Sequence, residues 1–93
     1  MAIRVRTYIS RLASSGQVPL QLVSLKLAGG DDFWCLMFST KKRLAEFQEA
    51  LPQNPKISEY GQILYSGFGE DPPEYVIKKV TEEYNLKLAE TAN

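Results

Sequence analysis

AGGDDFWCLMF, residues 28–38, decides the fold. Its last six residues, Phe33 to Phe38, are all apolar and include two phenylalanines and a tryptophan. So short a run, opened by glycine and aspartate and rich in aromatics, reads as a strand rather than a helix. A strand apolar on both sides belongs at the centre of a sheet. Gly29, Gly30, Asp31 and Asp32 ahead of it form a hairpin turn, with the glycines free to take positive φ. The segment before that turn therefore pairs with the central strand.

Toward the amino terminus, Leu20 to Ala28 reads as that pairing strand. Its apolar parity switches from Leu20 and Leu22 to Val23, Leu25 and Leu27, which a bulge or burial on both faces explains. Ser14, Ser15 and Gly16 mark residues 12–19 as a loop. Ile3, Val5, Thr7 and Ile9 alternate with Arg4, Arg6 and Tyr8, the pattern of a half-buried strand.

Toward the carboxyl terminus, in the stretch STKKRLAEFQEAL (residues 39–51), Lys41 to Leu51 reads as a helix. Ser39 or Thr40 caps it, Leu44, Phe47 and Leu51 form its apolar stripe, and Pro52 and Pro55 end it. Residues 61–68 (GQILYSGF) are a fourth strand. A second helix follows, with Asp71 as cap, Pro72 at the first helical position and Glu74 completing a capping box. Val76, Ile77, Val80 and Tyr84 are its buried stripe, and Asn85 suits a left-handed cap position closed by Leu86.

This order predicts an α+β two-layer sandwich: a four-stranded, mostly antiparallel sheet in β-β-β-α-β-α order with two helices on one face. Strand order 1-2-3-4 is expected, with 4-1-2-3 as the rival. A right-handed crossover makes strand four parallel to strand three. The 93 residues imply one domain, at 1–86, with a tail at 87–93 that frays.

Composition narrows the chemistry. The chain has no histidine and one cysteine, which removes the commonest general base and metal ligand and any internal disulfide. Cys35, inside the most apolar stretch, reads as a small buried residue. Residues 66–71 (SGFGED) hold Gly-x-Gly ahead of a helix, but Glu70, Asp71 and Glu74 repel an anion there. Asp31 and Asp32 are too few ligands for a cation and read as solvated turn residues. No catalytic residue, cofactor or metal site is expected. No apolar run is long enough for a membrane span, and a cytoplasmic protein is the default reading.

Two surfaces stand out. The first turn of helix one carries Lys41, Lys42 and Arg43, at the end of the dipole that favours acids. With Arg4 and Arg6 these are candidate contacts for an anion or a nucleic-acid backbone. Three strands followed by a helix beginning STKKRLAEFQEAL resembles the order and basic helix start of the double-stranded-RNA-binding domain. The likeness covers that helix start alone, since no helix precedes strand one and a strand and a helix follow. The second surface is the sheet face left open if both helices share the other, where Phe33, Trp34, Tyr8 and Phe38 are candidate interface residues. The expected function is a non-enzymatic protein-interaction or self-associating module with a protein partner or a homodimer. The alternative is a nucleic-acid backbone-binding module using the basic helix start.

Overall fold

In the computed structural model, which describes residues 3–10, 19–27, 29–84 and 86–88, the amino-terminal alternation becomes β1 (Arg4–Ser10). The expected loop before Pro19 and the Asn85 cap lie outside the described residues. β2 (Leu20–Lys26) and β3 (Asp32–Phe38) pair antiparallel in unbroken register, from Leu20 opposite Phe38 to Lys26 opposite Asp32. Their hairpin closes through two backbone hydrogen bonds. The Leu27 N–H donates to the Asp31 carbonyl at 2.7 Å and the Gly30 N–H to the Leu27 carbonyl at 2.8 Å. Gly30 takes φ +89°, a left-handed conformation that L side chains resist.

Leu20, Gln21, Leu22 and Val23 are all buried, so β2 changes parity because both of its faces are covered. Among the described residues a bulge lies instead in β4 (Gln62–Phe68), where Leu36 pairs with Tyr65 and Met37 with Ile63, leaving Leu64 as the extra residue.

The α+β class, the antiparallel sheet and the strand order 1-2-3-4 are as expected. A fifth strand, β5 (Leu86–Leu88), adds to β1, giving the sheet order β4-β3-β2-β1-β5. Two placements differ from the expectation. The first is the direction of β4, which runs antiparallel to β3. Helix α1 (Lys41–Ala50) carries the chain about 15 Å from the end of β3. The 3-10 turns at Leu51–Gln53 and Ile57–Tyr60 then bring it back. Ser39 Oγ donates to the Tyr60 carbonyl at 2.6 Å, so β4 begins where β3 ends and must run the other way.

The second correction concerns the helices, which lie on opposite faces rather than on one. Leu44 of α1 packs with Val23, Cys35 and Met37. Val76 and Val80 of α2 (Glu74–Tyr84) pack with Tyr8, Leu20, Leu22, Trp34 and Leu36 on the other face. The physical reason is in β2 and β3. Both strands are apolar on both sides, and burying apolar surface yields about 25 cal/mol per Å², so each face attracts its own helix.

Candidate interface at the β4 edge

The face expected to be open carries α2. Trp34 and Tyr8 keep only 5% of their surface there. Phe38 meets Tyr84 of α2 edge-to-face, with ring centroids 5.5 Å apart. Three of the four candidate interface residues are thus spent on the protein's own core. Gly67 makes this possible. It sits opposite Trp34 in the ladder, and a Cβ there would lie 2.9 Å from the indole Cζ2. The fourth candidate, Phe33, is half-buried and meets Phe68 edge-to-face at 6.0 Å.

The basic residues separate into two groups on opposite sides of the sheet. At the start of α1, Thr40 Oγ1 accepts a hydrogen bond from the Arg43 N–H at 3.1 Å. The Arg43 guanidinium donates to the Glu59 carbonyl at 2.9 Å. That carbonyl lies in the turn Ile57–Tyr60, so Arg43 ties the returning segment to the helix start. Lys41 and Lys42 are exposed. Arg4 and Arg6 lie on the α2 side, where both pair with Asp71, Arg4 at 3.2 Å. Ser24 Oγ adds a hydrogen bond to the Glu70 carbonyl at 3.2 Å. Asp71, expected to cap α2, instead fastens the loop before that helix to β1, and α2 begins at Glu74. The structure does not bring the five cations together.

Burial pushes the Cys35 thiol up to about 11, which holds it protonated and poorly nucleophilic at neutral pH. Tyr8 is raised by burial first, with Arg6 opposing and Asp71 adding to the rise. Asp32 pairs with Lys26 at 3.7 Å. Among the described residues no three His, Cys, Asp or Glu side chains cluster as metal ligands, and no helix is long and apolar enough to cross a membrane.

The feature that the sequence reading missed is the outer edge of the sheet. β4 is an edge strand seven residues long with no charge and no proline (QILYSGF). Among the described residues nothing pairs with its outer side. The Gly69 N–H donates to the Asp32 carbonyl at 2.8 Å, so by the alternation of an antiparallel ladder Ser66 and Phe68 turn their backbone groups outward. Phe68 is 75% exposed. Beside it lies an apolar groove of about 860 Å³, lined by Phe68 and Phe33 with Leu25, Leu27, Phe47 and Pro55. Lys26 and Glu49 are among its few charged neighbours. Natural edges are usually guarded by charge, proline or shortness, so the uncharged run 62–68 was the signal available in the sequence. No family model, curated protein or solved structure matches this chain.

Proposed function

We propose that this protein is a non-enzymatic interaction module that binds an extended polypeptide segment along the β4 edge. The observation that carries the reading is the uncharged, outward-facing ladder of β4 ending at the exposed Phe68 beside an apolar groove. Main-chain hydrogen bonds supply affinity in strand addition, and pockets for alternate side chains supply selectivity. Here the groove beside Phe33 and Phe68 receives an apolar side chain of the added strand. The protonated, buried Cys35 and the dispersed carboxylates support binding rather than chemistry. A single buried thiol also suits a reducing compartment such as the cytoplasm.

The test is selection from a random peptide display library on wild type and on Ser66→Pro, which removes an outward N–H without touching the ladder to β3. Peptides with alternating apolar residues should be enriched, and Ser66→Pro should lose them. Failure to enrich any such peptide, or equal binding by a folded Ser66→Pro, defeats the reading.

A further inference from the structure

Resting on the β4-edge reading, we infer that the segment added to β4 is the β4 strand of a second copy of this chain, in a two-fold antiparallel pair. Charge is the first argument. The chain has zero net charge and β4 has none, so two copies meet at this edge without repulsion.

Self-complementarity is the second. Ser66 turns its N–H and carbonyl outward, and the same residue on a second copy offers the matching groups, so a two-fold axis at Ser66 exchanges both hydrogen bonds. That register sets Gly67 opposite Tyr65 of the second copy and Phe68 opposite its Leu64. Leu64 leans to the α2 side and Phe68 to the α1 side, so Phe68 keeps its place beside the groove and the pairing rests on the backbone. A hydrogen bond between Arg43 and Glu59 holds the segment leading into β4, so the edge is pre-formed before association.

Closure is the third. An uncharged edge that recruits an unrelated strand at random is an aggregation hazard. A two-fold pair uses both β4 edges and leaves outermost the three-residue β5 strands beside the arginine-bearing start of β1, neither of which is a long uncharged template.

Sedimentation equilibrium from micromolar to millimolar protein tests this. Wild type should populate a dimer, and Ser66→Pro and Ser66→Lys should both remain monomeric with melting curves of a folded chain. Ser66→Cys should give a covalent dimer under mild oxidation, because Cα atoms of a hydrogen-bonded pair sit about 5.5 Å apart, within disulfide range. Wild type, whose only thiol is the buried Cys35, should give none. A wild-type monomer at millimolar concentration overturns the inference, as does a dimer that both Ser66 variants retain. If the monomer nevertheless selects peptides that Ser66→Pro loses, the β4-edge reading stands and only the second copy is rejected. If neither association nor peptide selection is seen, both fall.

Discussion

The two sides of the sheet are secured by different physics. On the β1 side, Arg4 and Arg6 reach Asp71 and so fix the loop before α2, and β5 covers only Tyr8 to Ser10. These are partly exposed ion pairs, each worth about 0–1 kcal/mol and weakened by salt. On the β4 side there is no ion pair among the described residues. Instead Gly61 and Gly67 let backbone and side chains approach closely, and the strand is held by fit. Guarding with charge leaves β1 a poor template for another chain. Holding by fit leaves the outer ladder of β4 uncharged and open to one.

The sharpest way to break this contrast is to add atoms on the β4 side. A Cβ at Gly61 would overlap the Phe38 carbonyl oxygen and lie 2.8 Å from Met37 Cε. Its backbone is extended, so the penalty is steric alone. Gly61→Ala should lose about 3 kcal/mol or more, because backbone cannot give way as a side chain does. Gly67→Val, whose Cβ would first meet the Trp34 indole, a side chain that can shift, should lose about 1–3 kcal/mol. Urea midpoints at fixed m-value check both. Losses below those of changes on the β1 side would show that fit does not dominate here.

The next effect is in alkali. Cys35 lies in the strand between β2 and β4, and burial raises its thiol from 9.0 to about 11. Below pH 9 both states hold the proton and the full stability is present. From pH 9 to about 11 the unfolded chain loses the proton first, so stability falls with rising pH. The loss should be on the order of 2 kcal/mol. Tyr8, also raised by burial, pushes in the same direction, so the Cys35 share is the part of the slope that Cys35→Ala removes. An unchanged slope in that variant would mean the thiol is far less buried than its surroundings indicate.

Much of the fold was legible because it rests on parity. Phe33–Phe38 read as a central strand, and the parity switch at Val23 narrows to a bulge or two buried faces, of which the structure shows the second. Each helix stripe showed that a helix covers something, but not which face. One shared face is therefore the simplest expectation from the stripes, and it leaves Trp34 and Tyr8 on a free surface. The direction of β4 depends on how far residues 51–60 carry the chain back, which the prolines at 52 and 55 punctuate without measuring. Leu86–Leu88 is too short to show a period. The exposed edge is only half legible: the run 62–68 lacks the charge and proline that guard an edge, but sequence does not show whether the outer ladder is paired or bare.

A smaller effect belongs to the β1 side. Asp71→Asn removes the carboxylate that both arginines share, so it should lose no more than about 1 kcal/mol, and less at high salt. Part of the pair's value is already offset, since Arg6 Nε is buried and has no hydrogen-bond partner among the described residues. Melts of wild type and Asp71→Asn at low and high ionic strength check this. A loss that salt leaves untouched would mean that Asp71 acts through packing, and the contrast between the two sides would narrow.

The smallest effect comes from the start of α1, and its sign is opposite to the others. Lys41 and Lys42 sit exposed in a first turn with no acid, against the helix dipole. Arg43 differs, because its hydrogen bond to the Glu59 carbonyl secures the segment that leads into β4. Lys41→Gln with Lys42→Gln should therefore stabilise the fold, by about 0.3–1 kcal/mol per residue at most, and the gain should shrink as salt screens the dipole. Arg43→Gln should not share in it, since the loss of its hydrogen bond, about 1 kcal/mol, offsets the relief. The same double variant tests the nucleic-acid reading. If these two lysines hold a phosphate backbone, labelled duplex RNA should bind wild type at low salt with a log–log salt slope of about −2, and the variant should lose it. Stabilisation without any such binding leaves the two lysines as solvating charges, tolerated because the fold is held by packing rather than by charge at this end of β3.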